Sequence, residues 1–266
     1  MEKFNIDESN KNHIFNDTGV ESIIFYYDDE RLLKYFRDKE INEKQIQKDL
    51  NDPFLDYPRK VKDFPKESLP NKEKKIKLLD QKKSIEDEVK ILGPAYQDGK
   101  FKGYIMNKED LKKLDMLPEH FSDRFTLRKR KIALLKLIRE KIEKLNAEGI
   151  FIGDFNQNNF LTDKNVSLVK LCDLDNLKID GLDFDTKHRF VQYYESSDAN
   201  INNIDSYCFN LFTIAYLNNY DLGYFDYRGP LKLPKELKTK ENMDICESMT
   251  HLDSSYVPKY LIDNMR

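Results

Sequence analysis

Cysteine and histidine are scarce in this sequence, and neither residue type forms a cluster. Three cysteines, Cys172, Cys208 and Cys246, lie far apart among 266 residues, and the four histidines are scattered. A small, odd number of widely spaced cysteines argues against the disulfide framework of small secreted domains. No set of cysteines and histidines has the spacing of metal ligands either. We therefore expect a protein of a reducing compartment without a cysteine–histidine metal centre.

An excess of one charge and a long apolar run are also missing. Lysine and arginine total 45, aspartate and glutamate total 48, and the formal net charge is -3, so bulk electrostatics do not favour a nucleic-acid partner. The apolar run at 209–217 is too short to cross a bilayer, and the polar N-terminus does not resemble an ordinary signal peptide. The basic run at 124–131 could suggest RNA or membrane binding, but we interpret it as a solvated helix face. The prediction is a cytoplasmic protein whose partners include no nucleic acid and no membrane.

The first half of the chain has the patterns of a β-rich unit. Residues 20–36 predict two strands joined by an acidic turn, and residues 89–107 predict a hairpin that turns at Gln-Asp-Gly-Lys. Residues 71–83 predict a short helix. We interpret residues 1–16 as a polar leader and the charged segment 37–69 as an insertion with one short helix of its own.

The second half of the chain is mostly helical by the same criteria. Apolar residues recur at helical spacing across 125–148, and Gly149 is a typical signal for the end of that helix. A strand-like run at 150–152 follows, and a hairpin is predicted over 159–172. A further apolar helix is predicted from about Asp205.

Two aspartates and one asparagine follow the short strands of the second half. Asp154 comes after the first strand, Asn159 lies five positions later, and Asp173 follows the hairpin. Each aspartate alone could be an ordinary turn residue, but the three together favour a site. Carboxylate and amide oxygens are ligands that suit Mg²⁺, and phosphoryl transfer needs little from a protein beyond positioning and charge neutralisation. Lys34, on the second predicted strand, could supply a cation for nucleotide phosphates.

With these residues in this order, the sequence resembles the protein kinase-like superfamily over about residues 20–217. The catalytic loop of the family is His-Arg-Asp with an asparagine five residues after the aspartate, and it appears here as Ile-Gly-Asp at 152–154 with Asn159. The Asp-Phe-Gly metal motif of the family appears as Asp-Leu-Asp at 173–175. The Gly-Asp pair is similar to that of atypical bacterial kinase-like proteins and of aminoglycoside and choline phosphotransferases.

The resemblance implies a role for each matching residue, with ATP and Mg²⁺ as cofactors. Asp154 would be the catalytic residue that orients the acceptor hydroxyl. Asn159 and Asp173 would bind the metal and the nucleotide, and Asp175, in place of the family's glycine, could add a third metal oxygen. Lys34 would hold the α- and β-phosphates of ATP.

Further positions of the nucleotide site are implied less directly. The glutamate that pairs with the strand lysine would be Glu73, with Glu67 and Glu86 as alternatives. The hinge beside the nucleotide would follow the second strand of the hairpin and include Tyr104 and Met106. Asp205 is explained equally by an N-cap on any fold and by the buried aspartate that opens a central helix in this family.

Several family features are missing from the sequence. The histidine and arginine of the catalytic loop are Ile152 and Gly153, so control by a phosphorylated activation loop is not expected. Asn156 stands where protein serine kinases carry lysine, and the glycine-rich loop is reduced to Gly19. The C-terminal lobe is expected to be short, which leaves the usual peptide-docking surface open to question.

These observations predict an α+β, bilobal protein kinase-like fold. A small β-rich N-lobe would occupy residues 17–107, and a short, mostly helical C-lobe would occupy 108–266. The expected function is ATP- and Mg²⁺-dependent phosphotransfer, most simply to protein serine or threonine. Two alternatives remain open. One is a small-molecule phosphotransferase, favoured by the Gly-Asp pair, Asn156 and the short C-lobe. The other is a pseudokinase or interaction module that binds nucleotide, or nothing, and acts through partners. The phosphate acceptor would accordingly be a protein or a small molecule.

Overall fold

The computed structural model of the chain divides into two units, Met1–Glu109 and Asp110–Arg266. The first unit is built on a β-sheet and the second is mainly helical, which confirms the predicted α+β class at this level. The structure describes residues 1–7, 9, 13–16, 22–37, 69–114, 124–184, 189–220, 231–252, 254 and 256–265.

Six strands form one sheet in the first unit. They are β1 (Phe4–Asn5), β2 (Ile14–Asn16), β3 (Ser22–Tyr26), β4 (Arg31–Phe36), β5 (Ile91–Gln97) and β6 (Lys100–Asn107). Their spatial order is β1-β5-β6-β4-β3-β2, and every pairing is antiparallel except that of β1 with β5. The predicted strand pair and hairpin are confirmed. The hairpin turns where Asp98 and Gly99 both have positive φ, as a two-residue turn between antiparallel strands requires.

The predicted polar leader is wrong where its residues join this sheet. Phe4 pairs with Ala95 across β1 and β5, and the Phe4 and Ile6 side chains are buried in the sheet core. Two apolar residues two positions apart, on one face of an extended segment, are enough to bury it. Nearly all of the predicted insertion 37–69, including its short helix, lies outside the described residues.

One helix, α1 (Leu69–Leu79), packs on β5 and β6. Its buried face combines Ile76 and Leu79 with the side chains of Lys72 and Lys75. The helix predicted at 71–83 is confirmed, although it ends at Leu79 and a 3-10 turn follows at Lys83–Ile85.

Helices and five short strands make up the described part of the second unit. The helices are α2 (Arg124–Ala147), α3 (Arg189–Glu195), α4 (Ile204–Asn218) and α5 (Lys240–Thr250). The strands are β7 (Lys112–Lys113), β8 (Ile150–Phe151), β9 (Phe160–Thr162), β10 (Val169–Leu171) and β11 (Lys178–Ile179). The core lies between α2, which contributes a stripe of fully buried leucine and isoleucine side chains, and α4, which is buried from Ile204 to Leu217. Within the described residues, no helix is both long and apolar enough to span a membrane.

The basic run at the start of α2 is only partly the predicted solvated face: Lys129 is exposed, whereas Lys131 and Arg128 bond to other parts of the second unit. The Lys131 ammonium is buried and donates to the Tyr216 carbonyl at 2.9 Å and to Asn219 Oδ1 at 2.7 Å. Arg128 donates to the Leu217 carbonyl and forms two bonds to Glu236, the shorter at 2.6 Å. These cations satisfy carbonyls at the C-terminal end of α4, where positive charge is favoured.

Candidate active site

The candidate site is built on a sharp turn that connects α2 to the β9–β10 hairpin. Helix α2 is followed by Gly149, whose φ of 72° is the left-handed conformation typical of a residue just after a helix. Strand β8 then pairs with β11. Beyond β8 the backbone turns tightly, because the Asp154 amide donates to the Ile152 carbonyl at 2.6 Å and Gly153 has a φ of 63°. This turn leaves Asp154 half-buried at the end of the strand.

Asp205 on α4 fixes the backbone of this turn. Its carboxylate accepts the Gly153 amide at 2.8 Å and the Ile152 amide at 3.0 and 2.9 Å. The side chain is fully buried, and burial raises the pKa of the Asp205 carboxyl to about 7 although both amide donors act in the opposite direction. The N-cap of α4 is Asn203, so Asp205 lies inside the first turn and its interpretation as an N-cap is wrong.

The structure brings Asp154 and Asn159 together. Asn159 Nδ2 donates to Asp154 Oδ2 at 2.9 Å and to the Asp154 carbonyl at 3.1 Å. Asn159 ends a 3-10 turn that Asn156 caps, since Asn156 Oδ1 accepts the Asn158 amide at 2.7 Å. Asn156 therefore has a local structural role.

The second acidic motif lies next to this turn. The Cys172 amide donates to the Asn159 carbonyl at 3.0 Å, which places Asp173 directly after a residue bonded to the first motif. Asp173 is half-buried and precedes a 3-10 turn at Leu174–Asn176, in which Asp175 is buried. The predicted site residues Asp154, Asn159 and Asp173 thus belong to two adjoining turns of the second unit.

The donor set suits a magnesium ion that is shared with a phosphate ligand. Within the described residues, no group of three histidine, cysteine, aspartate or glutamate side chains could hold a metal alone. Mg²⁺ commonly binds one or two carboxylates together with substrate phosphates and water, so such a group is not required. The side-chain nitrogen of Asn159 makes both contacts to Asp154. The side-chain oxygen, Oδ1, accepts no hydrogen bond from the described residues. The amide oxygen of Asn159 and the carboxylate of Asp173 are therefore suitable ligands.

The predicted nucleotide residues of the first unit lie on neighbouring strands. Lys34 on β4 is directly opposite Tyr104 on β6, and its ammonium lies 5.7 Å from the centre of the Tyr104 ring. Met106 is opposite Leu32 in the same strand pair. Tyr104 is fully buried, while Lys34 and Met106 are nearly so.

Glu73 is not brought to Lys34. Its carboxylate pairs with Lys77 at 2.5 Å, one turn further along α1, and accepts the Tyr96 hydroxyl at 2.7 Å. Burial opposes ionisation, but the Lys77 and Tyr96 bonds prevail and lower the pKa of Glu73. Pairs four residues apart on one helix face form readily, which explains this alternative partner. Of the other candidates, Glu86 is exposed and Glu67 lies outside the described residues.

Two contributors to the site were missed by sequence reasoning. Phe184 packs on Gly153, and Asn146, in the last turn of α2, faces Asp205. Neither residue belongs to a motif, and both contacts join parts of the chain that are distant in sequence.

No protein-family model matches the sequence, and no curated protein is significantly similar to it.

Proposed function

We propose that the protein is an ATP- and Mg²⁺-dependent phosphotransferase of the protein kinase-like superfamily. The observation that carries the proposal is the bonded pair of Asp154 and Asn159, on a turn whose backbone is fixed by the buried Asp205. Buried hydrogen bonds of this kind hold a functional group in one orientation. Positioning is the main requirement for phosphoryl transfer.

Asp154 is the proposed catalytic residue. Its carboxylate would accept the hydrogen bond of an acceptor hydroxyl and orient the oxygen towards the γ-phosphorus of ATP. The new bond joins that oxygen to phosphorus, the bond from phosphorus to the bridging oxygen of ADP breaks, and the hydroxyl proton passes to Asp154. The Asn159 bond keeps the carboxylate from rotating away. A Mg²⁺ ion held by Asn159 and Asp173, with Asp175 beside them, would neutralise charge on the phosphates.

In the first unit, a nucleotide-binding role is proposed for Lys34, Tyr104 and Met106. Lys34 would contact the α- and β-phosphates, and Tyr104 and Met106 would lie on the side of the adenine. Glu73 is not proposed to orient Lys34, because its carboxylate is bonded to Lys77 and Tyr96. The proposal therefore assigns no residue to orient Lys34.

The acceptor is proposed to be a serine or threonine hydroxyl of a protein. Of the three features that favoured a small-molecule acceptor, the Gly153-Asp154 pair and Asn156 have local explanations in the Phe184 contact and the cap of the 3-10 turn, and the short C-lobe is the third. The first two therefore no longer discriminate between the two kinds of acceptor. A pseudokinase that binds nucleotide without transferring phosphate is the outcome to distinguish by experiment.

Thermal unfolding with ATP, with and without Mg²⁺, tests nucleotide binding. A ligand at a hundredfold excess over its Kd stabilises the native state by about 2.7 kcal/mol. We expect a Mg²⁺-dependent increase in Tm that Asp173→Asn removes. The control is Asp163→Asn, because Asp163 accepts amides of its own hairpin loop and should leave the ATP effect unchanged.

Transfer is then measured with γ-labelled ATP and a mixture of protein and small-molecule acceptors. Label on protein serine or threonine supports the proposal, and label on small molecules alone redirects it to that acceptor class. No Mg²⁺-dependent effect at millimolar ATP and no transfer would reject the phosphotransferase assignment.

A further inference from the structure

Asn146 occupies a position between the end of α2 and the start of α4. Its side-chain amide lies against two acceptors, the Ile150 carbonyl and Asp205 Oδ2. We assign the orientation from the hydrogen-bond network: with nitrogen facing both acceptors, it donates to each at 2.8 Å. The reverse orientation would direct the amide oxygen at two oxygens.

The two oxygens of Asp205 share one donor, and each has a second donor of its own. Oδ1 accepts the Gly153 amide at 2.8 Å. The Ile152 amide is shared between Oδ1 and Oδ2 at 3.0 and 2.9 Å. Asn146 is therefore the donor in the described part of the chain that serves Oδ2 without sharing it. A fully buried carboxylate that loses such a donor is left poorly satisfied, which favours rotation or protonation of the group.

The side chain of Asn146 is not needed to end α2. The helix end is already satisfied by backbone bonds, since the Gly149 amide donates to the Asn146 carbonyl and the Glu148 amide donates to the Leu145 carbonyl, both at 3.0 Å. The two side-chain bonds instead reach forward, to the strand that leads into the Asp154 turn and to the residue that fixes that turn.

We infer that Asn146 is a positioning residue that holds the Asp205 carboxylate in the orientation that fixes Ile152 and Gly153, and through them Asp154. Its effect on catalysis rests on the proposed phosphotransferase function, whereas its effect on the turn does not. Asn146 itself would contact neither nucleotide nor acceptor.

Asn146→Asp is the most direct variant, because it keeps the shape of the side chain and replaces the donor with an acceptor. The matched control is Asn242→Asp. Asn242 is fully buried in the second unit, whereas Asn146 is half-buried, and the Asn242 amide likewise makes two bonds, to the carbonyls of Leu237 and Leu261, both at 3.0 Å. Each variant removes two amide donors from buried carbonyl or carboxylate oxygens, so both are expected to lower Tm. Only the Asn146 variant should act on the Asp154 turn.

The first readout is the backbone amide spectrum of the full chain, which needs no activity. Asn146→Asp is expected to shift the Ile152 and Gly153 amide resonances and to speed their hydrogen exchange, while Asn242→Asp leaves both unchanged. Unchanged Ile152 and Gly153 amides in folded Asn146→Asp, or equal shifts in the control, would overturn the inference. If the aspartate variant does not fold, Asn146→Ala is measured in the same way. The wild-type chain supplies a further check, because fast exchange of both Asn146 side-chain amide hydrogens would also overturn it.

The second readout is phosphate transfer. Misplacement of a reacting group by about 1 Å can lower a rate by roughly a hundredfold, so kcat should fall by about tenfold or more while the KM for ATP changes by less than about twofold. An Asn146→Asp variant with shifted amides and wild-type kcat would overturn the catalytic part of the inference. A wild-type protein without transfer activity would reject the proposed function, and the amide spectra would still decide whether Asn146 positions the turn.

Discussion

The Phe184 ring packs against Gly153 so closely that a Cβ atom added to the glycine would lie 2.6 Å from the ring. Gly153 also has a φ of 63°, a backbone conformation that residues other than glycine rarely adopt. Two independent constraints therefore require glycine before Asp154. A larger residue at this position would have to displace the Phe184 ring, which occupies the space beside Gly153.

Gly153→Ala should destabilise the second unit more than Gly149→Ala does. Gly149 has a similar φ of 72° with nothing within 4 Å of an added Cβ, so its variant measures the backbone cost alone, about 1–2 kcal/mol. Gly153→Ala adds the clash with a buried ring, a further cost of roughly 1–3 kcal/mol. Urea unfolding of both variants measures the difference. Equal losses of stability would show that Phe184 moves aside freely.

Asp154→Asn should abolish phosphate transfer and leave nucleotide binding intact. The asparagine oxygen can still accept the Asn159 amide, whose distance to the carboxylate is 2.9 Å, so the turn should persist. The amide cannot take the proton of the acceptor hydroxyl, and a loss of about a hundredfold or more in kcat is expected. Initial rates and ATP-dependent Tm shifts are measured on the same preparations. A variant with the wild-type rate would remove Asp154 from the mechanism.

Lys34→Met should weaken the stabilisation of the chain by ATP. The unbranched methionine can fill the nearly buried space of Lys34 beside Tyr104, but it has no charge for the phosphates. Lys102→Met is the matched control, since the Lys102 ammonium lies 6.0 Å from the Tyr35 ring in the same sheet. The Tm increase with ATP and Mg²⁺ should shrink in the Lys34 variant alone. A similar decrease in both variants would indicate a general effect of charge and contradict the assignment.

Local patterns predicted much of the candidate site. The long helix, its end at Gly149 and the hairpin over 159–172 depend on contacts within a few residues, and all three are confirmed. The interaction of Asp154 with Asn159 also follows from a short spacing. Short-range periodicity and turn chemistry are sufficient for features of this kind.

Features set by distant contacts could not be predicted in the same way. Strand β1 has two residues, and its place is decided by pairing with Ala95 far along the chain. The partners of Glu73 depend on which face of α1 is buried, and that face carries Lys72 and Lys75, which a hydrophobic pattern assigns to solvent. The role of Asn146 becomes visible only when α4 brings Asp205 opposite it.

Lys131 should make stability depend on pH in alkaline solution. Burial lowers the pKa of its ammonium from 10.5 to about 8, and repulsion from Arg128 acts in the same direction. Below pH 8 the native state carries the full cost of a buried charge. Between pH 8 and 10.5 the native lysine loses its proton before the unfolded one does, so stability rises with pH. The full change is roughly 3 kcal/mol, at about 1.4 kcal/mol per pKa unit.

Lys131→Met removes this titration, so its stability relative to the wild type should fall as the pH rises from 8 to 10. Urea unfolding at several pH values measures the difference, and Lys136→Met, an exposed position on the same helix, should retain the wild-type dependence. Buried tyrosines act equally in both proteins. Burial raises the pKa of Tyr256 to about 12, so ionisation of this residue in the unfolded chain lowers stability near and above pH 10 in the wild type and the variant alike, and the effect cancels in their difference. A parallel pH dependence for wild type and Lys131→Met would mean that the ammonium is not buried as a charge at the end of α4.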